Sequence, residues 1–192
     1  VKNLFVSCGL NSIGIGTGGG IGKVTAEWLM TGHINQDIFN YDIKRFQKFH
    51  SDLDFIKTRI TESLGDLYGM HWPYKQHKTS RNIKTLPYHD LLKGFGACFG
   101  VSGGYERPMW FATNGEKNEY RYSYNFQNWY PSVEYETNNT VKNVGIFDLT
   151  SFSKFELKSE KAHQELQKIC TSNVKNEIGS CTYTHMLNKD GG

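Results

Sequence analysis

The sequence predicts a mixed fold of the α+β or α/β class, built from more than one unit. Three observations carry this. The chain opens with a short apolar run, a glycine-rich stretch and a helical pattern, the order of a strand–loop–helix unit. Further on, amphipathic helical patterns alternate with short strand patterns, separated by proline- and glycine-marked crossings. And 38% of the 192 residues are hydrophobic, 14% of all residues being aromatic, enough for a core in a chain that fits one domain or pieces of two.

The elements follow in order. "LFVSCG", Leu4–Gly9, reads as a buried strand, and Cys8 beside it as a buried inert thiol. Between Gly9 and Gly32 lie eight glycines, at 9, 14, 16, 18, 19, 20, 22 and 32. Glycine costs backbone entropy, so such density marks a close approach to the main chain. A helix is expected from about Gly20 and Gly22 through "KVTAEWLM", stopped by Gly32. "NQDIFNYDIKRFQKFH" reads as a strand or turn leading into a helix. "SDLDFIKTRITESLGDLYG" is an amphipathic helix capped by Ser51, with Leu53, Ile56, Ile60, Leu64 and Leu67 on one face. After a polar crossing, "YHDLLKGFGACFGVSGGYERPMWFA" gives a short helix, a glycine-rich turn and a strand. "NGEKNEYRYSYNFQNWYP" is a solvated loop ending in aromatics. A helix over "SVEYETNNTVKNV", a strand over "FSKFELK", a helix over "SEKAHQELQKICTSNV" and a strand over "CTYTHMLNKDGG" complete the reading.

Composition excludes several classes. The net charge is +3, with Lys and Arg scattered, so no nucleic-acid surface is expected. No apolar run of membrane-spanning length and no signal peptide is present. The mean hydropathy is −0.56. Cys8, Cys98, Cys170 and Cys181 form no C-x-x-C pair and suit a reducing compartment. "NNT" at Asn138–Thr140 matches a glycosylation acceptor with nothing else to suggest secretion. The seven histidines show no ligand spacing, so no metal site is expected. The start at Val1 and the stop after "NKDGG" suggest an internal fragment of a longer protein.

The glycine stretch fails as a nucleoside-triphosphate loop, because Thr17 and Val24 occupy the positions of the first glycine and the magnesium-binding hydroxyl. Gly14, Gly16 and Gly19 match G-x-G-x-x-G, but no run of alternating β and α units follows. What survives is the physics of a glycine turn at a helix N-terminus, where unpaired N–H groups and the helix dipole favour an electron-rich ligand edge. Glu106 and Arg107 of "GYERPMW" suit an ordinary salt bridge beside packed aromatics, or a domain interface.

"CGLNSIGIGTGGGIGKVTAEWLMTG" resembles the last flavin-contacting segment of D-amino-acid-oxidase-like FAD-dependent amine oxidoreductases. "YDIKRF", "RNIKTLPYHDLLKGFGACFG", "GYERPMWFA" and "NWYPSVEYE" resemble the sarcosine and dimethylglycine dehydrogenase group. "VGIFDLTSFSKFEL" and "YTHMLNKDGG" resemble the start of its aminomethyltransferase-like, folate-binding domain. The resemblance implies the tail of an FAD-binding domain over 1–37, a small connecting domain over 38–95 and the truncated start of the folate-binding domain over 96–192. It implies FAD held against Leu10, Asn11, Ser12, Ile13, Gly14 and Ile15, and tetrahydrofolate near Phe152, which reads equally as a core aromatic. Asp148 is expected to be structural. Some monomeric amine oxidases of this superfamily carry a lysine where Gly16 stands here. The implied parent oxidises an N-methylated amine and passes electrons to an electron-transfer flavoprotein or oxygen, in the cytoplasm or mitochondrial matrix. The fragment alone is expected to be inactive. A non-catalytic regulatory protein of the same architecture, like the pyruvate dehydrogenase phosphatase regulatory subunit, stays open, as does a folate-dependent methyltransferase without oxidase activity.

Overall fold

The computed structural model describes residues 4–34, 36–113, 115–187 and 191. By internal contacts the chain divides into two units, Phe46–Glu156 and the paired segments Val1–Arg45 and Leu157–Gly192.

In the second of these, α1 runs from Gly14 to Thr31. The glycine stretch is therefore mostly helix, and the turn lies before it. Gly9 (φ +84°), Asn11 (+42°) and Ser12 (+67°) are left-handed. Helix interiors penalise glycine by about 1 kcal/mol each, which is why a helix was not expected to start before about Gly20. Gly32 ends α1 in the left-handed conformation, its N–H on the Trp28 carbonyl at 2.8 Å. The segment expected as a buried strand, 4–9, is irregular, with Leu4 and Val6 exposed and Cys8 exposed as well. Its apolar run has no ladder partner among the described residues, and an unpaired strand cannot satisfy its backbone. Phe5 does pack edge-on against Trp28 at 5.0 Å. Two 3-10 turns, Phe39–Tyr41 and Ile43–Arg45, replace the expected strand or turn. Helix α5, Ala162–Ile169, matches the sequence pattern. The final expected strand is reduced to a single antiparallel bridge, Cys170 to Met186. The rest of "LNKDGG" lies largely outside the described residues.

The unit Phe46–Glu156 is built on a hairpin. After a 3-10 turn, Lys48–Ser51, comes α2, Leu53–Tyr68. Its cap is Asp52 and not Ser51. The carboxylate accepts from the N–H groups of Asp54 (3.0 Å) and Phe55 (2.9 Å). Asp52→Ala should cost about 1 kcal/mol, read as a lower thermal midpoint, whereas Ser51→Ala should leave that midpoint within experimental scatter. The apolar face of α2 is largely exposed, Leu53 at 67%.

The short helix α3, His89–Gly94, leads into β1, Ala97–Ser102, which pairs antiparallel with β2, Tyr105–Phe111. The stretch expected to be a relaxed glycine turn is thus a strand. Glycine at 100 serves close approach, since a Cβ there would lie 2.8 Å from Met109 Cγ and 3.0 Å from Gln76 Cδ. The register shifts between Cys98 and Phe99, which pair with Trp110 and Pro108. Pro108, lacking an N–H, sits at that irregularity, where the ladder asks for none.

The core of this unit is Cys98, Trp110 and Trp129, with Ala112, Tyr120 and Tyr122 packed around it. The loop expected to be solvated therefore supplies much of the core. Helix α4, Tyr130–Lys142, carries Pro131 at its start and contains Asn138–Thr140, so the glycosylation tripeptide is helical. It is fastened to the hairpin by Ser132 and Thr113, hydroxyl to hydroxyl at 3.0 Å, and by Glu136 accepting from Phe111 N–H at 2.8 Å. Residues expected as the "FSKFELK" strand are irregular, with Phe152, Phe155 and Leu157 exposed. Alternation alone does not make a strand where no edge is offered to pair with.

Candidate functional site

The turn Gly9–Ile13 and the first turn of α1 form one candidate site. Ile13 N–H closes on the Leu10 carbonyl at 3.0 Å, and the Ile13 carbonyl takes Thr17 N–H at 3.1 Å and Thr17 Oγ1 at 2.9 Å. The opening amides of a helix, here Gly14, Ile15 and Gly16, have no partner within it. No acidic side chain occupies the first turn and no side chain caps it. Around Gly16, Gly18 and Gly19 a Cβ would meet nothing within 4 Å, so the backbone is open to a flat ligand. Ile13 and Ile15 flank it with exposed apolar surface. This surface suits FAD on two counts, free N–H groups at a positive helix end and bare backbone beside them.

Six expected residues, Leu10 to Ile15, are thus together by sequence. Gly14 is helical rather than left-handed, and a Cβ there would touch Leu10 Cδ1 at an ordinary 3.4 Å. The position whose backbone demands glycine is Gly9.

Phe152 lies in the other unit. It is 54% exposed, with the Arg107 guanidinium 5.0 Å from its ring centroid. Beside it, Asp148 Oδ1 accepts from Thr150 N–H at 2.9 Å and its hydroxyl at 2.5 Å, and Lys154 Nζ donates to the carbonyls of Leu149, Thr150 and Phe152. The Thr150 hydroxyl and amide hold the Asp148 carboxyl below its ordinary value. Asp148 is therefore a turn-former, as expected from sequence.

The partner of Glu106 is Arg81, not its neighbour Arg107. Glu106 is 2% exposed and accepts from Arg81 Nε (2.7 Å) and Nη2 (2.5 Å) and from Asn82 N–H (2.8 Å). Burial alone would raise its carboxyl; the Arg81 and Asn82 hydrogen bonds outweigh that and hold it below the usual range. Arg81 also reaches the carbonyls of His77 and Phe99. The pair joins the segment before α3 to the hairpin, a role that adjacency in sequence pointed to the wrong arginine for. Cys98 is buried in the core, its thiol pushed up to about 11 by desolvation, and is inert at neutral pH.

Two family models match the chain. Residues 31–85 match the FAD dependent oxidoreductase central domain, and residues 88–192 match the GCVT N-terminal domain. Among curated proteins, the 4-methylaminobutanoate oxidase (formaldehyde-forming) of Paenarthrobacter nicotinovorans is 38% identical over 192 residues, covering 100% of this chain and 23% of that protein. The mitochondrial pyruvate dehydrogenase phosphatase regulatory subunit of Mus musculus is 32% identical, covering 100% of this chain and 22% of its own. Human mitochondrial sarcosine dehydrogenase is 30% identical, at 100% and 24%. The chain thus spans less than a quarter of the length of these relatives. Among the described residues, no helix is long and apolar enough to cross a membrane. The chain belongs to the family in which an FAD dependent oxidoreductase central domain is followed by a GCVT N-terminal domain, an architecture it shares with the sarcosine and dimethylglycine dehydrogenases and with the regulatory subunit.

Proposed function

We propose that this chain is a section of a flavoprotein that oxidises an N-methylated amine of the sarcosine or dimethylglycine class and passes the one-carbon unit to tetrahydrofolate. The observation that carries the reading is the left-handed turn at Gly9, Asn11 and Ser12 opening onto the free first-turn amides of a glycine-lined helix. Leu10–Ile15 would lie against the ring of the flavin. Bound FAD would supply the acceptor for the hydride leaving the C–H beside the amine nitrogen. The chain's part is to aim N–H dipoles where negative charge grows, at no cost of reorganisation. Phe152 belongs on the folate side of this reading. The FAD part would end near 37, a connecting domain would span 38–95, and the folate-binding part would begin near 96, eight residues inside the GCVT N-terminal match that starts at 88. Electrons would pass to an electron-transfer flavoprotein or to oxygen, in the mitochondrial matrix or the cytoplasm.

Gly9→Val in the full-length protein tests the turn. A β-branched residue at φ +84° is strained by about 1–2 kcal/mol, so FAD affinity should fall by about 5- to 30-fold. Gly22→Ala, inside α1 with open space around it, should keep its flavin. Full flavin content in Gly9→Val overturns the assignment of this turn.

A second reading is favoured by the 32% identity to the regulatory subunit, which covers the whole of this chain and is no lower than the 30% to human sarcosine dehydrogenase. In that reading the architecture is kept without amine oxidation. Flavin that is bound yet never reduced by any N-methylated amine would select it.

A further inference from the structure

Glu62 and Asp66 stand one turn apart on α2, and His77 returns past the same face on the crossing segment. One ligand atom from each lies within 4.8 Å of the others. His77 Nδ1 is 3.5 Å from Asp66 Oδ2 and 3.8 Å from Glu62 Oε1. That nitrogen is shielded from solvent and has no hydrogen-bond partner, although the rest of the ring is exposed. A covered imidazole nitrogen facing two carboxylate oxygens without bonding either is what points to a ligand between them.

The surroundings hold the three groups in place. Glu62 is fixed by the N–H groups of Lys78 (2.6 Å) and Thr79 (2.9 Å) and by the Thr79 hydroxyl. These residues directly follow His77, so the clasp that fixes the glutamate also fixes the histidine. Lys75 Nζ pairs with Asp66 Oδ1, leaving Oδ2 toward His77. We propose that Glu62, Asp66 and His77 bind one divalent cation of the zinc class and so clip the 70–81 crossing to α2.

The donor set decides the class. One imidazole with two carboxylates suits zinc or cobalt better than magnesium or calcium, which take oxygen ligands alone. Ligand distances of about 2.0–2.2 Å around a tetrahedral ion put ligand atoms about 3.3–3.6 Å apart. The two separations from His77, 3.5 and 3.8 Å, are already close to that, and the two carboxylates, within 4.8 Å of each other, need a side-chain rotation to close. This departs from the sequence expectation of no metal. The spacing, i and i+4 followed by a histidine eleven positions on, matches no common motif.

The test is a Co²⁺ titration of the purified metal-free protein, followed by its visible absorption, with Zn²⁺ as competitor and thermal midpoint as a second readout. The expected result is one equivalent bound with the strong colour of a tetrahedral site, displaced by Zn²⁺, and a midpoint raised by Zn²⁺. His77→Ala and Asp66→Asn should each weaken binding at least tenfold, while His71→Ala, at a histidine outside the cluster, should not. Should His77→Ala fail to fold, Asp66→Asn, a near-isosteric change on a helix surface, carries the test. Absence of the coloured species in the wild type, equal uptake by either cluster variant, or binding of Mg²⁺ or Ca²⁺ in preference to Co²⁺ overturns the proposal, leaving His77 as an ion-pairing residue only.

Discussion

Glu106→Ala is expected to destabilise the unit Phe46–Glu156 by about 3–5 kcal/mol, because it strands a partly buried guanidinium without its counter-charge. Glu106 is 2% exposed and is held by two Arg81 nitrogens and the Asn82 amide. Its backbone N–H in turn donates to the Lys84 carbonyl at 2.8 Å, and Thr85 bridges to it. Removing the side chain therefore frees three donors at once. Urea unfolding measures the loss. The double variant Arg81→Met with Glu106→Leu should recover most of it, since the cost lies in the orphaned charge and not in the absence of an ion pair. The pH dependence has a fixed sign. The folded carboxyl is held below its ordinary value, so its contribution is complete above the unfolded value, near 4.3, and is lost as pH falls through the folded one. The gap between wild type and Glu106→Gln should narrow below about pH 4.3. A gap constant from pH 7 to pH 3 would contradict this account of the pair.

Trp110→Ala should cost a similar amount, about 3–5 kcal/mol. Trp110 is 1% exposed and is the largest of the fully buried side chains. It sits on β2 opposite Cys98 and packs with Trp129, edge-on to Tyr120 at 6.3 Å. The cavity left by alanine cannot collapse readily, because its walls come from a paired strand, a loop and the start of α4. Trp110→Phe keeps an aromatic ring in the same place and removes only part of the volume, so it should cost far less. Near-UV circular dichroism and urea unfolding read both. Equal losses for Phe and Ala would mean that shape at this position matters less than the packing implies.

Helix α2, helix α4, helix α5 and strand β2 were legible because their patterns are local. An apolar face every three or four residues, a proline at a helix start and a β-rich run each carry their own physics. The second half of helix α1 and its stop at Gly32 were legible in the same way, but its start was not, since propensity counts its glycines against it, and the left-handed residues that set up the start include Asn11 and Ser12, which give no such warning. Strand β1 was hidden by Gly100, whose reason is the crowding by Met109 and Gln76 from elsewhere in the chain. The expected strands at 4–9 and 152–158 failed for the complementary reason. A strand is a property of two segments, and the described residues pair neither. The candidate flavin turn was singled out in the sequence by its glycines, and the residue whose backbone most demands glycine there is Gly9 and not Gly14. The Arg81–Glu106 pair and the Glu62, Asp66 and His77 cluster join residues that sequence spacing does not associate.

The most direct test is an anaerobic titration of the full-length protein with sarcosine and with dimethylglycine, followed by flavin absorbance. An amine-oxidising flavoprotein should show loss of the oxidised flavin bands with at least one of these amines, and the one-carbon product should appear on tetrahydrofolate when that is supplied. A purified protein without flavin, or a flavin that stays oxidised in the presence of every N-methylated amine tried, would contradict the account.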